Sequence, residues 1–527
     1  MKGEPIRRKM ALNGDEGKLP LLNGNESMQI KIKERVNFAS EVTRRAMTVG
    51  VVTTVALFLA SCSKSILPVP SGPPPAVTFE RSLAAERISL PSGLTVFLLE
   101  NRELPIVSGT LTIRGGGLLD KRRGLTPVMA EQMRQGGAGE LSGERLDSEL
   151  QKLSAGIDAS AGQESISISF SCLAGDLDRV FELFSDVVMR PRFDESRLSL
   201  WRAQALEGIR RRTDEPWTVA GISFQQLVFG NTPYGASTTS ADVRAVTRSE
   251  LAALHKQALT PKGSFLSVSG AVSKDKLLAL MNRYLAPYSM PASGEESHAA
   301  RSTVLPELSF SPKPGIYFIE LPLTQASVYI GQQGVPRLTP DYPAIDLFNQ
   351  IFGSGFFGSR LMKTVRTEKG LAYSIFGGIS SGPVRGRAAI GFQTKTESVN
   401  DAIRASISEL LKMRANPVSS DELAESKSAI ANAFVFRFDS VDELVKREVT
   451  LEFLGYPSDY DETYLAKIGS VTPEDIQRVA QTRWDISKLV VLVVGNRALW
   501  EKLPQLSEFE PLANLPIKRV KFDEVLR

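Results

Sequence analysis

Two side chains whose types could do chemistry stand near each other in the sequence. Arg366 and Tyr373 lie seven residues apart in 366-RTEKGLAYS-374. A guanidinium brings a permanent positive charge and forked N–H donors, and a phenol brings a neutral O–H donor. Together they suit gripping a carbonyl oxygen or an oxyanion. By residue type alone the ordinary reading comes first: Arg366 forms a salt bridge with nearby Glu368, and Tyr373 is a half-buried strand residue. Just upstream, Gly353, Gly355 and Gly358 match G-x-G-x-x-G literally in 353-GSGFFG-358. A dinucleotide site would need a strand before that pattern and a helix start after it. What precedes it, 340-PDYPAIDLFNQIF-352, is a helical pattern, so the glycines read as a helix-to-helix loop that lets a backbone approach closely.

Metal-ligating residues are scarce. The only histidines are His255, in a helical pattern, and His298, in a linker, and neither has ligand spacing with anything. The only cysteines are Cys62 and Cys172. Ile166, Ile168, Phe170 and Cys172 alternate onto one face of a strand, which makes Cys172 a small buried apolar side chain and excludes a disulfide framework.

The net charge of +4 is local to the N-terminus. Residues 1–62 hold ten Lys and Arg against six Asp and Glu, leaving 53 of each sign in the remainder. No basic stripe argues for nucleic acid. The leader reads as a targeting segment: Arg44 and Arg45 precede the apolar run Met47–Ala60, too short for a comfortable membrane span. It ends in Leu59-Ala60-Ser61-Cys62, which resembles the lipobox of bacterial lipoproteins and marks Cys62 for lipidation. Met28 is a candidate start. Residues 63–80 form a Pro/Ser/Gly tether. The chain is therefore expected in the bacterial envelope, lipid-anchored; by resemblance Ser63 favours the outer membrane, facing the periplasm.

The elements that must position the polar pair come in two copies. Thr247 to Gly270 and Thr472 to Gly495 each run an N-cap Thr, a helix, a break and an apolar strand closing at Gly. Upstream, 229-FGNTPYG-235 answers 453-FLGYP-457. Leu177, Phe181, Phe184 and Val188, and likewise Leu146, Leu150 and Leu153, form helical core stripes. Strands read as TVFLLE, SGTLTIRG and SISISFSC in the first copy, SVYIGQQG and AAIGFQTK in the second. The expected fold class is α+β, with two tandem homologous domains, each a β-sheet covered by helices. The divisions are 81–288, a solvent-exposed linker at 289–315, 316–512, and a tail at 513–527.

This order of elements, with 124-GLTPVMAEQMRQGG-137 after a glycine-rich strand end and RTEKGLAYS in the second copy, resembles the pitrilysin/insulinase family of zinc peptidases over roughly residues 81–500. The resemblance implies half of a clam-shell, two halves enclosing a peptide-cleaving chamber. Family members carry H-x-x-E-H on the helix opened by Gly-Leu, with a further Glu about 77 residues on. Aligned on Gly124-Leu125 and Gly136, those positions fall on Pro127, Ala130, Glu131 and Gly208, with Glu207 adjacent but turned about 100° away. Glu131 alone could bind zinc only weakly, so this chain is expected to hold none. The helix itself is expected to survive, with Thr126 as cap, Pro127 at its first position, and Met129 and Met133 on one face.

For Arg366 and Tyr373 the resemblance reverses the ordinary reading. In active relatives such a pair reaches across the chamber to substrate carbonyls and the oxyanion, and the loop of Gly353, Gly355 and Gly358 would line the substrate path. Some bacterial members split the work between a zinc-bearing chain and one that keeps only the pair. The expectation is therefore a non-metal subunit of a heterodimeric zinc peptidase, with zinc in a homologous partner and peptides or unfolded segments as substrates. The rival is an inactive scaffold or peptide-binding lipoprotein of the same fold. An independently active metallopeptidase is opposed by the missing ligands.

Overall fold

The computed structural model describes residues 84–289 and 304–525. The leader with Cys62, the tether 63–80 and His298 lie outside them. Among the described residues no helix is long and apolar enough to cross a membrane.

Alternating apolar residues build two six-stranded sheets. In the first, β1 (Glu86–Ser89), β2 (Thr95–Glu100), β3 (Ile106–Arg114), β4 (Gly156–Ala161), β5 (Ser165–Leu173) and β6 (Phe265–Gly270) lie in the order β1-β2-β6-β3-β5-β4. In the second, β7 (Gly315–Glu320), β8 (Gln325–Gln333), β9 (Ser374–Ile379), β10 (Arg387–Lys395), β11 (Val490–Gly495) and β12 (Ile517–Val520) lie in the order β9-β10-β8-β11-β7-β12.

The two orders are one topology. β2 runs parallel to β6 as β7 does to β11, and β6–β3, β3–β5 and β5–β4 are antiparallel as are β11–β8, β8–β10 and β10–β9. Only the last strand differs. β1 pairs antiparallel with β2 from just upstream, whereas β12 pairs parallel with β7. Ile517–Val520, in the segment expected as a tail, is thus a strand of the second sheet. Short and half-exposed, it lacks the long apolar alternation that marks an inner strand.

Helices cover one face of each sheet. Against the first pack α1 (Leu125–Gln135) and the helix Leu177–Met189, whose Phe181 and Phe184 meet Phe170 of β5 with ring centroids 5.6 and 5.0 Å apart. The other face of each sheet is covered by a helix from the opposite half. From the first half, α2 (Pro216–Phe229) lays Val219, Ala220, Phe224 and Val228 on Tyr317, Tyr329 and Leu492 of the second sheet. From the second half, α3 (Val441–Leu454) lays Val445, Val449 and Phe453 on Phe97, Leu99 and Phe265 of the first. Both crossing helices end at a positive-φ glycine, Gly230 (φ 65) and Gly455 (φ 74), where a Cβ would be strained. These ends are the FGNTPYG and FLGYP signals of the repeat. The repeated Thr247 and Thr472 both form full capping boxes, with Glu250 and Asp475.

The chain between the halves is more than an exposed linker in its described part. Leu305 and Leu308 pack against the α2 cluster, and Tyr234 donates its hydroxyl hydrogen to the Pro306 carbonyl at 2.6 Å. Apolar residues spaced among prolines gave no period from which this docking could be read.

Candidate functional site

The helix that would carry a metal motif is α1, and its start differs from the expectation. Gly124 is the N-cap, at φ 77, with no side-chain cap of its own, and the helix begins at Leu125. Thr126 does not cap. It is buried, and both its N–H (2.9 Å) and its hydroxyl donate to the Asp120 carboxylate, six residues upstream. An acidic group there satisfies an orphan N–H and meets the positive end of the helix dipole. Pro127 is consequently the third helical residue, still within the first turn, where a missing N–H costs little.

On α1, Met129, Ala130 and Met133 are fully buried, sharing a core face, while Pro127 is exposed and Glu131 half-exposed. Gly208 sits exposed in the helix Glu195–Arg210, and a Cβ built there would meet nothing within 4 Å. Adjacent Glu207 is engaged by Arg210 and Arg211, whose hydrogen bonds hold its carboxyl down to about 2. These positions do not fit zinc: one carboxylate at Glu131, an apolar ring, a buried methyl and an unsubstituted α-carbon make no ligand set. Among the described residues no group of three or more His, Cys, Asp or Glu could hold a metal ion.

His255 is packed. Its Nε2 lies 2.8 Å from the Val188 carbonyl, its ring stands edge-on to Phe193, and burial pushes its pKa down. Cys172 is buried on β5, and burial pushes its thiol up to about 12.

Arg366 and Tyr373 are held differently from the ordinary reading. Gly353 lies in one π-helical turn, Gln350–Ser354, and a second, Met362–Glu368, follows the glycine loop and carries Arg366. Such wide turns cluster at functional sites. The Arg366 guanidinium stacks over the rings of Phe357 (4.7 Å) and Tyr373 (4.8 Å), and no ion pair with Glu368 forms. Stacking occupies the faces of the guanidinium and leaves its in-plane N–H donors for an acceptor. Tyr373 precedes β9 and is 83% exposed rather than half-buried. The three glycines diverge. A Cβ at Gly353 would strike the Gly377 backbone of β9 at 2.3 Å and one at Gly355 the Gln350 carbonyl at 2.3 Å, whereas Gly358 faces open space. Phe357 was not visible as a partner of Arg366: nine residues and a change of helical pitch separate them.

The fold defines a two-domain peptidase-like chain, with no group of three or more His, Cys, Asp or Glu able to hold a metal ion among the described residues. Two family descriptions match it, "Insulinase (Peptidase family M16)" over residues 96–241 and "Peptidase M16 inactive domain" over residues 245–430. The chain belongs to the insulinase, or M16, peptidase family, as a homologue of the inactive type. It is 22% identical over 404 residues to "Non-peptidase homolog YmxG" of Helicobacter pylori, covering 76% of this chain and 91% of that one. It is 28% identical over 209 residues to an "Uncharacterized zinc protease" of Mycobacterium leprae, covering 39% and 45%. The crystal structure of a "peptidase M16 inactive domain" from Pseudomonas fluorescens shares the fold, with TM-score 0.70 and 24% identity over 79% of this chain and 98% of that one.

Proposed function

We propose that this chain is the non-metal subunit of a two-chain zinc peptidase of the bacterial envelope. It would form half of a peptide chamber and present Arg366 and Tyr373 to substrate bound at a homologous partner that holds zinc. The observation that supports this reading is the Arg366 guanidinium, clamped by two rings with its donors open, in a chain whose own metal positions are Pro127, Ala130, Glu131 and Gly208. A scaffold has no use for a preoriented cation beside an exposed phenol.

In this role Arg366 supplies charge and forked donors to a substrate carbonyl, and Tyr373 supplies one neutral O–H donor. The loop of Gly353, Gly355 and Gly358 would border the substrate backbone. Substrates would be peptides or unfolded segments. A lipid at Cys62 and the tether 63–80 would hold the chain at a membrane surface, the outer membrane facing the periplasm being favoured. The test is co-expression with a zinc-motif homologue followed by peptide cleavage assays. Loss of activity in Arg366→Ala and Tyr373→Phe complexes supports the reading, and unchanged activity in both favours a scaffold or peptide-binding lipoprotein.

A further inference from the structure

Away from α1 and Arg366, a cavity of about 480 Å³ opens between the first sheet and the crossing helix α3 of the second half. Its floor is unusual for a sheet face covered by a helix. The face of β3 and β5 turned from the core carries Thr110, Thr112, Ser165 and Ser167, with Thr112 directly opposite Ser167 in register. On the other side of β3, Thr110 is directly opposite Ser267 of β6. Directly opposed side chains stand about 5 Å apart, so the hydroxyls form a regular lattice. Ser267 donates to the Thr110 carbonyl, but the hydroxyls of Thr110, Thr112, Ser165 and Ser167 take no hydrogen-bond partner among the described residues. Each offers one donor and two acceptor sites.

The charged groups that line the cavity are already ion-paired. Arg337 and Glu164 pair with each other across the two halves, each side chain only 18% exposed. Lys446 pairs with Asp442 at 2.6 Å; Arg114, which is not part of the lining, stacks on the Phe453 ring at 4.4 Å and has no ion pair among the described residues. The roof, from α3, is mostly apolar, with Val449, Phe453 and Leu454 beside Thr450 and the ion-paired Lys446.

We infer that this cavity is a binding site for a neutral polyhydroxylated ligand, a mono- or disaccharide. Three features select that class. The volume lies in the range of small-molecule sites, about 300–1,000 Å³. Mixed donor–acceptor hydroxyls match a ligand whose own polar groups are hydroxyls, and each charged side chain lining the cavity is already in an ion pair. A mostly apolar roof opposite a polar floor matches a sugar ring, which carries C–H groups on one face and hydroxyls at its edge. An extended peptide is disfavoured, because it pairs with a strand edge and this cavity offers a sheet face.

The test titrates the purified chain with glucose, maltose, N-acetylglucosamine and its β-1,4 dimer, read by saturation-transfer NMR and calorimetry. Saturable binding of at least one sugar, insensitive to salt, is expected. Thr112→Val and Ser167→Ala should each weaken it about tenfold, the scale of one lost ligand hydrogen bond. Ser160→Ala, a hydroxyl outside the cavity, should leave it unchanged, and circular dichroism should be the same for all variants. Thr110→Val gives a second removal should either of the first two fail to fold. Absence of saturation by every sugar at tens of millimolar would overturn the inference. So would binding that persists in the hydroxyl-free variants, or binding of a neutral Gly/Ser hexapeptide or of glucuronate in preference to the sugars.

Discussion

The Arg366 guanidinium carbon lies 4.8 Å from the centre of the Tyr373 ring, and Phe357 closes on it at 4.7 Å. Arginine side chains carry roughly 2 kcal/mol of rotamer entropy. Two rings that restrict the side chain before substrate arrives lower the ordering cost of using it.

That arrangement separates orientation from hydrogen bonding. Tyr373→Phe keeps the stacked ring and removes only the O–H, so an active complex should lose about 10²-fold in kcat, the scale of one oxyanion donor. Because Tyr373 is exposed, the thermal midpoint of the chain should not move. Steady-state kinetics with parallel melting curves check both.

The Asp120 cap should matter for stability and not for peptide chemistry. Asp120→Ala leaves the buried Thr126 hydroxyl and N–H without this acceptor, and urea unfolding should show a loss of about 1–2 kcal/mol. Asp120→Asn, which keeps a carbonyl oxygen, should recover part of it.

Six positions beyond Thr126 on α1, Gln132 is fully buried with neither amide atom hydrogen-bonded among the described residues. A desolvated amide without partners is destabilising. Gln132→Met, close in shape and apolar, should raise the urea midpoint by the equivalent of about 1 kcal/mol with an unchanged m-value.

Much of this fold could be read from local pattern. The alternation of Ile166, Ile168, Phe170 and Cys172 is a strand with one face in the core, and all four are buried. Thr247 and Thr472 announced two copies because a capping box is written in four consecutive residues. The reading of Arg366 and Tyr373 as a pair, and of Pro127, Ala130, Glu131 and Gly208 as ligand positions, came from the family resemblance; residue types and spacing alone favoured the ordinary reading. Non-local features were not visible in local pattern. Asp120 caps from outside the helix pattern, Phe357 reaches Arg366 from before the π-helical turn that carries it, and β12 joins its sheet from the C-terminal segment. The exchange of α2 and α3 was hidden for another reason: each packs on a sheet from the other half, a partner that no local period reveals.

His255 should make stability pH-dependent. Burial lowers its folded pKa below the ordinary value near 6.5, so the unfolded chain binds a proton that the folded chain resists. Its neutral form is therefore fully accommodated above the unfolded pKa, and stability falls as pH drops through about 6.5 toward the lower folded value. Urea unfolding at intervals from pH 8 to pH 5 should show this slope in the parent chain and a flatter one in His255→Gln.

The most direct measurement of the central claim is zinc content and peptide cleavage for the chain alone and for its co-purified complex with a zinc-motif homologue. The account predicts no stoichiometric zinc and no cleavage from the chain alone, with cleavage by the complex that falls sharply in Arg366→Ala. Stoichiometric zinc with chelator-sensitive cleavage by the chain alone, or a complex indifferent to Arg366→Ala, would contradict it.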